Sequence, residues 1–155
     1  MSAFAIEPPI EPMLAKLATA VPKGPFLYEP KWDGFRAIVF RSATDVYIQS
    51  RELRPLDRYF PELHDALIAN VPPGSVVDGE IVIPTNDGLD FDALQLRLHP
   101  AASRVAKLAK ETPSAFVAFD LLAVDGHDIR ESPQHERRAR LERSLANAAR
   151  PIFIT

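Results

Sequence analysis

The 155-residue sequence has no cysteine, so disulfides and cysteine-ligated zinc centres are excluded. Its four histidines, His64, His99, His127 and His135, lack the tight spacing of a metal site and read as surface residues. No stretch approaches the roughly 20 consecutive apolar residues of a membrane helix. The first residues also lack the basic flank and apolar run of a secretory leader. A cytoplasmic protein without a membrane partner is expected. A basic excess is missing as well: the net charge is −3 and the pI about 5.8, which does not advertise nucleic-acid binding. What is present is a chain 46% hydrophobic, long enough for one domain with a core and too short for two comfortable ones.

Against this background one string stands out, Glu29-Pro30-Lys31-Trp32-Asp33-Gly34-Phe35-Arg36. The pattern KxDGxR arises by chance at about one position in 10⁵ when each fixed residue type is present at average frequency. Its chemistry is that of a covalent nucleotidyl-lysine site. An amine attacks phosphorus only when neutral, so a nucleophilic Lys31 needs positive charge or desolvation nearby, from Arg36, a bound metal or both. With strands over 26–31 and 35–41, Lys31 sits at a strand end beside a turn, where Gly34 permits a backbone conformation other residues resist. Asp33 then holds ribose hydroxyls or the turn itself, and Arg36 pairs with a phosphate or a carboxylate. The competing interpretation is a plain hairpin with a solvated lysine.

Elsewhere the pattern is mixed, mainly antiparallel. A proline-rich stretch at 7–12 leads to a short helical turn over 13–18, and 21–25 is a loop. Strands are predicted over 35–41, 46–50, 75–84 and 115–124, with a turn at 43–45 and a final strand beginning at 152. Helices are predicted over 61–69, after a cap at Asp90 with Phe91, Leu94 and Leu98 buried, around Val105 and Leu108, and from Ser132-Pro133 to about Ala148. Residues 130–150 carry six arginines against three glutamates, either a solvated helix face or a phosphate-contacting surface. Glu80 lies in an apolar run, where a carboxylate is costly unless it meets a partner, a ribose, a metal or water at a strand end. Alternation places Asp78 on the face of Glu80, although Asp78-Gly79 also suits a backbone-shaping role. Phe119 reads as core from its neighbours alone.

At Lys31-Trp32-Asp33-Gly34-Phe35-Arg36 the chain resembles the covalent nucleotidyltransferase superfamily of ATP-dependent DNA ligases, RNA ligases and mRNA capping enzymes. The longer string EPKWDGFRA is most similar to the bacterial end-joining ligases of the LigC/LigD type. Pro12-Met13-Leu14-Ala15, Ser50-Arg51, Val77-Asp78-Gly79-Glu80-Ile81-Val82 and Phe116-Val117-Ala118-Phe119-Asp120-Leu121-Leu122 follow in that family's order.

The resemblance implies an α+β fold of antiparallel sheets flanked by helices, and ATP-dependent sealing of nicked duplex DNA in repair and recombination, at the bacterial nucleoid. It makes Lys31 the carrier of AMP, with Glu29, Asp33, Arg36, Arg51, Glu80 and Phe119 around the nucleotide. Glu80 is the implied ligand of Mg²⁺ or Mn²⁺, Glu29 a reader of the adenine amino group, and Phe119 its stacking platform. Asp120 would shape or charge the same pocket. The family's later EGxV and KxK motifs and its oligonucleotide-binding domain do not occur in residues 1–155. The expectation is therefore an incomplete adenylation domain over 1–155, unable to complete ligation alone and prone to self-association through uncovered strand edges. An RNA ligase or capping-type enzyme, and an inactive nucleotide-binding remnant, remain as alternatives.

Overall fold

Apolar residues alternate between two faces along the strands, and that alternation builds one six-stranded sheet in the computed structural model, which describes residues 4–13 and 33–155. The elements run β1 (Phe35–Arg41), β2 (Val46–Ser50), α1 (Pro61–Asn70), β3 (Ser75–Val82), β4 (Pro84–Thr85), β5 (Gly88–Leu89), α2 (Phe91–Gln95), α3 (Ala102–Glu111), β6 (Ala115–Val124), β7 (His127–Asp128), α4 (Gln134–Ser144) and β8 (Ile152–Ile154). The sheet order is β2-β1-β3-β6-β7, with β8 parallel to β6, and β4 and β5 form a separate hairpin. This is the expected α+β architecture. The 21–25 loop, the strand over 26–31 ending at Lys31 and all but the first residue of the helical turn expected over 13–18 lie outside the described residues.

One sheet face carries Ala37, Val39, Val77, Ile81, Phe116 and Leu121, packed beneath Leu63 and Leu67 of α1 and Leu141 of α4. On the other face Ile38, Phe40, Val76 and Leu122 are covered by Phe4, Ile6 and Ile10. Gln49 fixes that covering segment: its side chain accepts from Ile10 N at 2.7 Å and donates to Ile10 O at 2.8 Å. A buried amide paired this way avoids the cost of an unmade hydrogen bond. Farther along the same face Val82, Ala115 and Val117 form a small apolar group with Leu89, part of the lining of a cavity of about 520 Å³ that also takes in Phe153.

The helical layer is tied to the sheet by a fully buried arginine. Arg97 Nη2 donates to Glu62 Oε1 at 2.6 Å and to Tyr59 O at 2.9 Å, while Nη1 donates to Thr112 O at 3.2 Å. The guanidinium lies 4.9 Å from the Phe60 ring centroid. Glu62 Oε2 accepts from both the amide and the hydroxyl of Ser114, at 3.0 and 2.9 Å. One carboxylate thus joins the start of α1 to the chain entering β6.

Three helix expectations need correction. Asp90 caps α2 by accepting from Ala93 N at 2.9 Å, but only Leu94 is buried; Phe91 is 37% and Leu98 49% exposed. The reason is length: α2 ends at Gln95, so Leu98 falls beyond it. α4 begins after Pro133 without a side-chain cap from Ser132, and stops at Ser144 rather than about Ala148. Its arginines also divide. Arg137 is buried in an ion pair and Arg138 pairs with Glu142, while Arg140 and Arg143 are exposed.

β3 and β6 pair with two register shifts. At one of them Asp78 faces Asp120 and Gly79 faces Ala118, which makes Phe119 the extra residue of a β-bulge. Gly79 permits the close approach: a Cβ there would lie 2.3 Å from Val117 O and 2.6 Å from the Phe116 ring. Because the nearest atom is backbone, Gly79→Ala is expected to cost about 1–3 kcal/mol of stability. Thermal or urea unfolding checks this, and an unchanged midpoint would contradict it.

Candidate active site

At the end of the sheet where β1 begins, a cavity of about 560 Å³ is lined by Asp33, Gly34, Arg36, Arg51 and Glu80, together with Phe35, Ser50, Glu52, Leu56, Phe91 and Leu98. Four of the seven candidates from the sequence therefore share one cavity. Lys31 and Glu29 lie outside the described residues. Phe119 is not in the cavity lining, but the Arg36 guanidinium stands 5.0 Å from its ring centroid and connects it to the same place.

Strand pairing explains the convergence. Arg36 on β1 is opposite Glu80 on β3, with Asp78 two residues along on the same sheet face. Arg36 Nε donates to Asp78 Oδ1 at 2.7 Å and Nη2 to Oδ2 at 2.6 Å, a bidentate pair with the carboxylate almost fully buried. Burial works against the Arg36 charge, but the hydrogen bond and charge of Asp78 outweigh it, with help from Glu80 and Asp120, so the guanidinium holds its proton more firmly than usual. Burial pushes the Asp78 carboxyl up, and Arg36 pulls against it. Two consequences follow. Asp78 is a partner for Arg36, not solely a backbone-shaping residue. Arg36 is neutralised on one side, so its field on a neighbouring amine is weaker than that of a free cation.

Glu80 is partly buried at the cavity wall between β1 and β6. Gly34 has a different role from the one its position suggests: a Cβ would lie 2.2 Å from Ile81 O and 3.1 Å from Glu80 Oε2. Close approach of the chain to β3, rather than an unusual backbone angle, calls for glycine there. Arg51 projects from a tight turn after β2, in which Leu53 N bonds Ser50 O at 3.1 Å and Ser50 N bonds Arg54 O at 2.7 Å. It is exposed at the rim.

Asp120 meets its expectation only in part, acting on the pocket through its charge on Arg36 and not as lining. Its carboxylate accepts Arg137 Nε at 2.9 Å and Nη2 at 3.1 Å, in a buried pair beneath α4, and it does not line the cavity. Conversely Phe91 and Leu98, read from the sequence as core, form cavity wall, and Phe91 packs edge-on against Phe35 at 5.9 Å. Helical periodicity marks both as apolar but does not distinguish core from pocket.

Among the described residues no group of three His, Cys, Asp or Glu side chains could hold a metal ion, and no helix is long and apolar enough to cross a membrane.

The ATP dependent DNA ligase domain model matches residues 12–154. DNA ligase C2 of Mycolicibacterium smegmatis is 55% identical over 148 residues, covering 96% of this chain and 42% of that protein. DNA ligase C of Mycobacterium tuberculosis is 55% identical over 136 residues, covering 88% and 38%. Of solved structures, mycobacterial DNA ligase D complexed with ATP and MES aligns with a TM-score of 0.62 at 30% identity, over 81% of this chain and 38% of that one. The chain spans about two fifths of the length of these curated relatives. A match over nearly every residue, with the sheet and helices of a solved ligase domain, leads to one conclusion: the chain belongs to the ATP-dependent DNA ligase domain family.

Proposed function

We propose that this chain supplies the nucleotide-binding and lysine-adenylating part of a DNA ligase that seals nicks in duplex DNA. The observation that carries the reading is the convergence on one cavity of Asp33 and Arg36, which belong to the Lys31-containing string, with Arg51 and Glu80 from farther along the chain. In the proposed step the neutral Nζ of Lys31 attacks the α-phosphorus of ATP. The N–P bond forms, the P–O bond to the β-phosphate breaks, pyrophosphate leaves and the amine gives up a proton. The AMP then passes to a DNA 5′-phosphate, and a 3′-hydroxyl displaces it.

Arg36, held by Asp78, presents a fixed fork beside the nucleotide, and Arg51 at the rim meets ribose, phosphate or the nucleic acid. Glu29 is assigned to the adenine edge. Glu80 fits a hydrated Mg²⁺ or Mn²⁺, because such an ion is commonly bound through one or two carboxylates plus substrate phosphates and needs no all-protein cage. That ion supplies charge neutralisation on the phosphates. The protein is placed in the bacterial cytoplasm, where repair substrates are found.

Incubating the intact protein with α-labelled ATP and Mg²⁺, followed by denaturing electrophoresis, tests the reading directly. A labelled band that maps to Lys31, with transfer of AMP to nicked DNA in preference to nicked RNA, is the expected result. The absence of any acid-labile nucleotide adduct sinks it.

Phe119 provides an independent check. Its ring is partly buried and touches Arg36, and it belongs to none of the buried core groups. Phe119→Ala is therefore expected to weaken ATP binding by about 1–3 kcal/mol. The loss in folding stability should fall short of the roughly 3–5 kcal/mol of a deleted core aromatic. Calorimetric titration beside thermal unfolding separates the two, and unchanged affinity in a folded variant would argue against stacking.

A further inference from the structure

We propose that Arg137 of α4 is a positioning residue for Phe119, acting through Asp120 and the β-bulge that β6 forms against β3. The proposal rests on the reading of Phe119 as the adenine platform. Phe119 is the extra residue where Asp78 faces Asp120 and Gly79 faces Ala118. A bulge re-aims a side chain, but it also breaks the ladder that would hold the strand in place. Something else must fix the aim.

Two ion pairs bracket this point, one from each direction. From β1, Arg36 is clamped to Asp78 and laid against the Phe119 ring. From α4, Arg137 makes two bonds to Asp120, the next residue after Phe119, with both side chains under 10% exposed. The geometry around Arg137 is itself constrained: Nη1 donates to Ser132 O at 2.6 Å and Arg130 O at 3.4 Å. Asp120 Oδ1 also accepts the Leu121 amide at 2.8 Å, so the carboxylate grips its own backbone just past the bulge. α4 already packs through Leu141, with Leu145 just past its end in the same core, so adhesion of the helix does not call for a buried charge pair. Such pairs rarely exceed an apolar contact in stability, and the role assigned to this one is to fix a single geometry. Here that geometry belongs to the strand residue beside Phe119.

The test is a double-mutant cycle in the intact protein, with ATP affinity as the readout and thermal unfolding measured in parallel. Arg137→Met is expected to weaken ATP binding roughly 10-fold when Phe119 is present, and about 2-fold or less in a Phe119→Ala background. Its effect on unfolding temperature should be the same in both backgrounds. Arg137→Lys keeps the charge and loses the fork, and an intermediate affinity loss is expected; it carries the same cycle if the methionine variant does not fold. An equal affinity loss with and without Phe119 would assign Arg137 a purely structural role and overturn the inference. So would wild-type affinity in Arg137→Met while Phe119→Ala binds weakly, and that pattern leaves the stacking reading intact. If the unaltered protein does not bind ATP at all, the stacking reading falls and the inference falls with it.

Discussion

Replacing Lys31 by arginine is expected to abolish labelling of the intact protein by AMP, even though the positive charge is kept. A guanidinium is practically never neutral in a protein, so it has no lone pair to offer phosphorus at any working pH. Nucleotide binding should survive better than labelling, because the groups lining the cavity, Arg36, Arg51 and Glu80, are untouched. Gel autoradiography and an equilibrium ATP titration on the same sample make the distinction. Undiminished labelling of Lys31→Arg, or mass-spectrometric mapping of AMP to Lys16 or Lys23, would remove Lys31 from its assigned role.

Arg97→Met is expected to have the largest effect on stability, a loss of about 3–5 kcal/mol. Methionine fills much of the volume but leaves Glu62 Oε1 without its 2.6 Å partner, and takes hydrogen bonds from Tyr59 O and Thr112 O. The remaining bonds from Ser114 hold the other carboxylate oxygen in place, so Glu62 cannot simply turn to solvent. Denaturant unfolding measures the cost. Pairing the change with Glu62→Gln should recover part of it, since the stranded charge is then gone, and a change below about 1 kcal/mol for the single variant would mean water already reaches that carboxylate.

Local composition carried much of the fold. Phe35–Arg41, Val46–Ser50 and Ala115–Val124 form strands over the predicted spans because their alternation or apolar density has one stable use, half or full burial in a sheet. What composition could not carry was partnership between distant residues. Arg97 and Glu62, or Arg137 and Asp120, are ordinary charges in the linear chain, and only packing joins the first as a buried arginine on a partly buried carboxylate and the second as a buried pair. The same limit applies to the bulge. Nothing within Phe116–Leu122 marks Phe119 as the extra residue, because the opposite strand and Gly79 decide it. For the site, Asp33 and Arg36 are legible in the KxDGxR motif, and Arg51 and Glu80 through the resemblance of later segments; all four share a cavity, whereas helical periodicity assigns the apolar wall of Phe91 and Leu98 to core. The resemblance implies that Asp120 shapes or charges the pocket, but its carboxylate pairs with Arg137 of α4, a partner that the resemblance does not indicate.

The pairing of β3 with β6 has a kinetic consequence. These strands meet only after the chain has passed through β4, β5, α2 and α3, whereas β1 pairs with β2 across a short turn. Closing the longer loop costs more chain entropy before any contact repays it. The β1–β2 hairpin is thus available early, and the Phe119 bulge, which exists only once β6 docks, belongs to the late events. A nascent chain would have its Arg36 strand in place before the aromatic that Arg36 covers, so the contact between Arg36 and Phe119 would be acquired only when β6 docks.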